Sequence, residues 1–182
     1  MSRAEEFDQL RPLLCARAFD LLTSPTASRR IVERVRDFVS AATRIEDVAA
    51  GLADLIRRES GRRWVGIYRV GGGEVVNLAW SGPAAPAHPR FPVGQGLTGV
   101  AIASRATVCS NDVAADPRYL TNQTTTGSEL IVPVIFAGEV VGTLDAEDPE
   151  TNAFGAVDKV FFEEIAAALS PLYRRAGSVA HE

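Results

Sequence analysis

Three acidic residues at one end of an apolar hairpin are the strongest candidates for chemistry in this sequence. The segment GSELIVPVIFAGEVVGTLDAED, residues 127–148, contains two apolar runs around a short turn, with Glu129, Asp145 and Glu147 at its far end. Side chains alternate between the two faces of a strand, so these three residues, the acidic trio, are expected on one face. Like charges opposed on neighbouring strands are unfavourable, so the acidic trio requires a cation or bulk water nearby.

The pairing register of the hairpin decides how close these carboxylates come to one another. Pairing the fully apolar faces of the two strands requires a loop of odd length, such as residues 137–139, because a slip of one residue exchanges the faces. This register predicts Glu129 opposite Glu147 and diagonal to Asp145. Asp148 is expected on the other face or in the following loop.

The acidic trio is open to three interpretations. The strand ends could lie in water with solvated carboxylates, or the cluster could hold a hard metal ion, or it could hold an ammonium group. No histidine is near in the sequence and no loop has calcium-type spacing, which disfavours a metal. Taken alone, the hairpin favours solvated carboxylates, because structural charge clusters are common.

Two aromatic residues on an earlier strand favour the ammonium interpretation. In RWVGIYRV, residues 63–70, Trp64, Gly66 and Tyr68 share one face, and Gly66 is expected to leave a gap between the two rings. An aromatic face attracts an ammonium group by about 0.5–2 kcal/mol. The alternative is that Trp64 and Tyr68 are ordinary core residues.

The composition indicates a globular protein that binds neither nucleic acid nor membranes. The chain has 182 residues, 46% of them hydrophobic, and a net charge of −4, which argues against a nucleic-acid surface. The N-terminus lacks an apolar signal core and no run is long enough to span a membrane. Cys15 and Cys109 form no metal or disulfide pattern, which indicates a reducing compartment. We expect a soluble, cytoplasmic protein.

Apolar periodicity predicts the elements that position these residues. Helices are predicted over residues 7–22, 31–39, 45–61 and 154–172, the last bent or ended by Pro171, with a short helix over 94–105. Strands are predicted over residues 63–70, 74–81 and 106–110 and in the hairpin, while 82–92 and 111–127 are predicted loops. The strand connections are mostly too short for parallel crossovers. The pattern therefore predicts an α+β domain with an antiparallel sheet and helices packed on one face.

Five segments together resemble the GAF domain family: WVGIY, VGQGLTGVA, NDVAADPRY, the hairpin, and NAFGAVDKVFFEEIA. The resemblance covers about residues 52–173. It implies a twisted antiparallel sheet with helices behind it, a ligand pocket between the other face and a cap made of the loop and short helix, and dimerisation through terminal helices. We therefore expect a helical extension of two extra helices over residues 1–42, a GAF domain over 43–175 and a tail over 176–182.

Within this superfamily the sequence is similar to the free methionine-(R)-sulfoxide reductases. Their substrate-binding positions fall here on Trp64, Tyr68 and the acidic trio, with Glu147 where Asp is usual. The resemblance thus implies that the acidic trio holds the ammonium group of a substrate.

The catalytic positions of that family are not matched. Its GxGVCG is GQGLTG here, with Thr98 in place of cysteine, and its loop cysteine falls near Asn122. Neither side chain can perform thiolate redox chemistry. Cys109 matches neither position; it is expected to be an inert core residue and is the one candidate for catalysis. Cys15 is expected to pack in a helix. Neither histidine has a partner at catalytic or metal spacing, so His88 is expected in a surface loop and His181 in the tail.

Three functions follow from these patterns. The first is a stand-alone sensory or binding module for an amine- or amino-acid-like ligand, without turnover, metal or cofactor. In this module Trp64 and Tyr68 flank the ligand, the acidic trio pairs with its ammonium, and the loop residues Arg118, Tyr119 and Asn122 close over it. The second is a reductase that uses Cys109. The third is a structural or partner-binding dimer with an empty pocket.

Overall fold

A six-stranded antiparallel sheet organises the protein. The computed structural model describes residues 25–174, and the predicted helix over residues 7–22, Cys15, His181 and the tail lie outside the described residues. The elements in chain order are α1 Pro25–Ala41, α2 Ile45–Ser60, β1 Trp64–Gly71, β2 Glu74–Ser81, β3 Arg90–Pro92, α3 Gly96–Ser104, β4 Val108–Ser110, β5 Ser128–Phe136, β6 Glu139–Asp148 and α4 Ala156–Arg174.

The strand order is β3-β2-β1-β6-β5-β4, and every pairing is antiparallel. Helices α1, α2 and α4 cover one face, where alternate strand residues such as Ile67, Val132 and Leu144 pack against helix residues such as Ile56 and Phe161. The period-two and helical patterns place these apolar positions on facing surfaces. The predicted α+β fold, with an antiparallel sheet and helices packed on one face, is confirmed.

The hairpin reaches the predicted register by a different route. Its turn has two residues, Ala137 and Gly138, both with positive φ (50° and 85°), as a type I′ turn requires. A bulge at Val141 then adds one unpaired residue to β6, so that Glu129 lies opposite Glu147. The predicted odd-length loop is wrong, because an even turn with a one-residue bulge has the same parity.

The proline-rich segment 82–92 contains a strand that the sequence did not predict. Residues Arg90–Pro92 form β3, in which Phe91 pairs with Val75 of β2. A proline is tolerated here because β3 is an edge strand.

Pro171 neither ends α4 nor leaves its partner carbonyl without a donor. The helix continues to Arg174. The Ser170 hydroxyl donates a hydrogen bond of 3.0 Å to the carbonyl oxygen of Ala167, which the missing N–H of Pro171 would otherwise have bonded.

Helix α1 is part of the apolar core between the sheet and the helices, which we call the helix-side core. Its Ile31, Val32 and Val35 are buried in the same apolar cluster as α2 and α4. The predicted boundary of an extension at residue 42 stays a prediction. None of the helices between residues 25 and 174 combines the length and apolar character needed to cross a membrane, and the cytoplasmic location stays a prediction.

Candidate functional site

The sheet face opposite these helices lies under a cap. The cap consists of α3, residues 82–89, residues 93–95 and residues 111–127, and two apolar clusters hold it to the sheet. In the first, Leu120 of the cap packs with Trp64 and Tyr68 of β1 and Phe91 of β3; in the second, Leu97 of α3 packs on Ile131 of β5. The tight seat of α3 depends on Gly99, where an added Cβ would lie 2.6 Å from the backbone of Gly94.

The acidic trio is buried beneath this cap. Glu129 is 7% exposed, Asp145 3% and Glu147 2%. Glu147 lies between Glu129 on β5 and Trp64 on β1, and Asp145 lies opposite Gly66. The interpretation of solvated carboxylates at a wet strand end is therefore wrong.

Burial dominates the protonation of these groups. It raises the pKa of Asp145 to about 8, with a further rise from the charge of Glu147 and an opposing effect of the nearby Thr143 hydroxyl. Burial also raises the pKa of Glu129 well above its ordinary value, and the charges of Glu147, Asp145 and Asp116 add to the rise. Without a cation, burial therefore favours the protonated form of both Glu129 and Asp145.

Hydrogen bonding separates the acidic trio into two groups. Oδ1 of Asp145 is buried without a partner, and the Glu129 carboxyl makes no hydrogen bond to any residue between 25 and 174. Both oxygens of Glu147, by contrast, accept hydrogen bonds, from Asn122 Nδ2 and Thr126 Oγ1. Burial raises the pKa of Glu147, and these two donors oppose the rise.

The space beside Glu129 and Asp145 is small. Its volume is about 30 Å³, enough for roughly two water molecules. A molecule as large as an amino acid therefore requires part of the cap to move. The cavity is lined by Tyr68, His88, Phe91, Gly96, Leu97, Thr98, Leu120, Asn122, Glu129 and Asp145.

The two predicted aromatic residues have different places. The Trp64 ring lies over Gly66, where an added Cβ would be 2.4 Å from the indole and 2.8 Å from the Tyr68 ring. The expected gap at Gly66 is thus filled by the indole, whose Nε1 donates a 3.1 Å hydrogen bond to the carbonyl oxygen of Ala84. Tyr68 lines the cavity, and burial together with the acidic trio raises its pKa well above the ordinary value.

Of the three loop candidates, Asn122 lines the cavity and Arg118 does not. Arg118 is exposed and its guanidinium pairs with Asp116 of the same loop at 2.7 Å. Tyr119 is half-buried, and its hydroxyl accepts a 3.3 Å hydrogen bond from the N–H of Asn122. Burial raises the pKa of the Tyr119 phenol. Tyr119 thus supports Asn122 from within the cap.

Cys109 lies on the wrong face to act on a molecule in the cavity. It pairs with Leu130, whose side chain is in the helix-side core, and directly opposed residues point to the same face. The thiol is exposed, so its interpretation as a core residue is wrong. Partial burial and the charge of Asp158 raise the pKa of the Cys109 thiol, and Lys159 opposes this rise.

Two further residues that line the cavity, Thr98 and His88, belong to the cap. Thr98, at the position of the expected cysteine, is 6% exposed and lines the cavity from the first turn of α3. His88 lies on the exposed loop that was predicted for it, yet it also reaches the cavity, which sequence reasoning missed. No spacing signal could reveal this, because the position of His88 depends on a contact between two loops: the N–H of Ala87 donates to Asn122 Oδ1 at 2.9 Å.

The acidic trio is not arranged as a metal centre. Within the part of the chain that the structure describes, no group of three or more histidine, cysteine or acidic residues has the geometry to hold a metal ion. Free acceptor atoms on two buried carboxyls suit a ligand that brings several N–H donors, such as an ammonium group.

Comparison with known proteins finds a matching family and similar sequences. The family model described as GAF domain matches residues 30–171. Protein YtsP of Bacillus subtilis is 31% identical over 108 residues, which are 58% of this chain and 65% of that protein. The match therefore spans just under two thirds of this relative.

Solved structures extend the comparison. The free methionine-R-sulfoxide reductase from Neisseria meningitidis, in complex with its substrate, aligns with a TM-score of 0.77 and 27% identity over 85% of this chain and 93% of that chain. The GAF domain of an Acinetobacter phosphoenolpyruvate-protein phosphotransferase aligns with a TM-score of 0.76 and 17% identity over 87% and 98%, which shows a shared fold. The sheet with its cap and the match over residues 30–171 lead to one conclusion: the chain belongs to the GAF domain family.

Proposed function

We propose that this GAF domain is a sensory module that binds a small amine- or amino-acid-like ligand in the cavity, without turnover. The GAF domain is a ligand-binding and sensory fold. The observation that carries the proposal is the pair Glu129 and Asp145, two buried carboxyls that line the cavity. Asp145 has an unpartnered oxygen and Glu129 makes no hydrogen bond within residues 25–174.

The chemistry of this pair selects the charge of the ligand. An ammonium group brings three N–H donors and a positive charge, so it can satisfy both carboxyls and favour their ionised forms. An anionic ligand such as a nucleotide would instead add like charge to a buried site. The aromatic ring of Tyr68 beside the carboxyls adds a favourable surface for a cation.

Free methionine-R-sulfoxide is the first ligand to test. The Neisseria meningitidis relative acts on this compound, and its ammonium group matches the demand of Glu129 and Asp145. Tyr68 and Thr98 also line the cavity, and a hydroxyl group such as each of them carries can donate a hydrogen bond to a sulfoxide or carboxylate oxygen.

The lining of the cavity favours binding over reduction. Among residues 25–174, no cysteine lines the cavity, while reduction of a sulfoxide by a protein thiol requires a thiolate at the substrate. Cys109 is on the helix side of the sheet, opposite Leu130. Dimerisation through the terminal helices stays a prediction that the resemblance implies.

A thermal-shift screen followed by calorimetry tests this function. The panel contains free amino acids, both methionine sulfoxide epimers, polyamines and cyclic nucleotides. A ligand at a hundred times its Kd should stabilise the fold by about 2.7 kcal/mol. We expect a shift with an amino acid or an amine, and a reductase assay with the same ligand should show no turnover, with Cys109→Ser as the control.

The variant Asp145→Asn makes the test specific for the site. It keeps the shape of the side chain and removes its charge, so the shift should be lost. Glu139→Gln, on the same strand but largely exposed in an ion pair with Arg105, should keep the shift. A shift with nucleotides alone, or an amine shift that survives in Asp145→Asn, would overturn the proposal.

A further inference from the structure

The hydrogen bonds of the acidic trio indicate a division of tasks. Glu129 and Asp145 line the cavity, whereas Glu147 is occupied by side chains of the cap. We propose that Asn122 is a latch that binds the cap to Glu147 and keeps the ligand-free cavity too small for an amino acid. Ligand entry then requires this latch to open. The ligand part of this inference rests on the proposed function; the latch itself is a property of the ligand-free protein.

Asn122 joins three parts of the site. Its Oδ1 accepts a 2.9 Å hydrogen bond from the N–H of Ala87 in the other cap loop. Because a backbone N–H can only donate, this contact fixes the orientation of the amide. The Nδ2 group then faces the sheet and donates to Oε1 of Glu147. One side chain thus connects both cap loops with Glu147. The sheet face that carries the acidic trio is the floor of the cavity.

The hydrogen bond from Asn122 to Glu147 on the floor is a strong one. Glu147 is 2% exposed, and a hydrogen bond to a buried carboxylate is about twice as strong as one between neutral groups. Thr126 Oγ1 donates to the other oxygen of Glu147, so residues 122–126 are attached to the floor at both ends. Loss of Asn122 would leave one oxygen of a buried carboxylate without its donor.

The volume of the cavity is too small for an amino acid, so the latch must open before one can enter. The cavity of about 30 Å³ cannot hold an amino acid, so residues 118–126 must move for a ligand to enter. This segment sits tightly on α3, since a Cβ added at Gly96 would lie 3.0 Å from the Cβ of Leu120. Opening releases Glu147, which can then turn to the ligand's ammonium group together with Glu129 and Asp145.

The neighbouring residue offers a matched control. Gln123 Nε2 donates a 2.9 Å hydrogen bond to the carbonyl oxygen of Ala85, and this hydrogen bond is exposed to solvent. It connects the same two cap loops, whereas the described side chains that donate to Glu147 are Asn122 and Thr126. Gln123→Ala therefore removes a loop–loop bond of similar chemistry and leaves the Asn122–Glu147 contact in place.

Hydrogen exchange of the ligand-free protein tests the latch directly. We expect Asn122→Ala to accelerate exchange about tenfold in residues 84–90 and 118–127, with no change in α2. Asn122→Asp keeps the acceptor for Ala87 but places a carboxyl against Glu147, so it should accelerate exchange at least as much. Gln123→Ala should have a clearly smaller effect. Unchanged exchange in Asn122→Ala, or an equal effect of Gln123→Ala, would overturn the latch.

A binding measurement separates the latch from the proposed function. With free L-methionine-R-sulfoxide as the probe, Asn122→Ala should associate about tenfold faster in stopped-flow experiments. If the probe binds but the variant is no faster, the proposed function stands and the latch is wrong. If no probe of the panel binds and exchange still responds to Asn122→Ala alone, the latch stands and the ligand assignment fails.

Discussion

The hydroxyl of Tyr173, near the end of α4, donates a buried 2.8 Å hydrogen bond to the backbone carbonyl oxygen of Tyr68. The side chain of Tyr68 lines the cavity on the other face of the sheet. The Tyr173 ring reaches this carbonyl over Gly142, where an added Cβ would lie 2.5 Å from the ring and 2.4 Å from the Tyr68 oxygen. The last helix and the cavity floor are therefore joined through β1.

The variant Tyr173→Phe should destabilise the protein by about 1–2 kcal/mol. It keeps the ring in place and removes the hydroxyl that donates to the buried Tyr68 carbonyl, and loss of a donor to a buried group is destabilising. Urea unfolding should show a lower midpoint with an unchanged slope. An unchanged midpoint would mean that the carbonyl has another donor and that the contact contributes nothing to stability.

Gly66 is required by the aromatic packing beside the acidic trio. In Gly66→Ala the new Cβ would lie 2.4 Å and 2.6 Å from two carbons of the Trp64 ring, so the indole must move. Overpacking of this kind costs about 1–3 kcal/mol. Gly71→Ala is the matched control in the same strand, because nothing lies within 4 Å of a Cβ there. Equal stability of the two variants in chemical denaturation would contradict this account.

The sequence predicts the floor of the site well because strand parity determines it. Alternation places Asp145 and Glu147 on one face of β6, and the apolar residues of the hairpin set the register that brings Glu129 to the same face. The path through the turn could not be predicted in this way. A two-residue turn with a bulge at Val141 and a three-residue loop produce the same pairing at the far end.

The cap could not be predicted from the sequence, because loop–loop contacts determine its geometry. The position of His88 depends on the contact between Ala87 and Asn122, and the occupation of Glu147 depends on the fold of residues 122–126. Neither contact has a periodic signal. The face of Cys109 is decided by the register of the short edge strand β4 against Leu130, which a three-residue strand does not reveal on its own.

Arg62 holds the start of α4 against the end of β6. Its guanidinium donates to Asp148 at 3.4 Å and to Asp158, and it lies 4.6 Å from the centre of the Phe154 ring. The Arg62 side chain is 13% exposed. Arg62→Ala should cost about 3–5 kcal/mol, since it leaves two carboxylates of low exposure without their cation.

Arg58→Ala is the control for this prediction. Arg58 pairs with Asp54 at 2.9 Å, but its side chain is 70% exposed. An exposed pair of this kind contributes less than about 1 kcal/mol. Thermal and urea unfolding of both variants should therefore differ clearly. Losses of the same size would show that burial does not set the strength of the Arg62 contacts.

The stability of the ligand-free protein should fall as the pH rises from about 4 to about 8. Burial raises the pKa of Asp145 from an ordinary value of 3.8 to about 8, so between these values the folded state binds a proton that the unfolded state has lost. The stabilisation is complete below the unfolded pKa and is lost as the pH rises through the folded pKa. For one such group the slope approaches about 1.4 kcal/mol per pH unit.

Asp145→Asn should flatten this dependence and make the ligand-free protein more stable than the wild type at pH 8. The amide has no charge to bury, so position 145 no longer contributes to the pH dependence of folding. The remaining slope comes from Glu129 and Glu147, whose pKa values are also raised by burial. Urea unfolding at pH 5, 6.5 and 8 measures the slope. Glu139→Gln, at the exposed start of β6, should leave it unchanged. A slope of wild-type size in Asp145→Asn would mean that Asp145 is ionised in the folded protein throughout this range and that a cation already neutralises it.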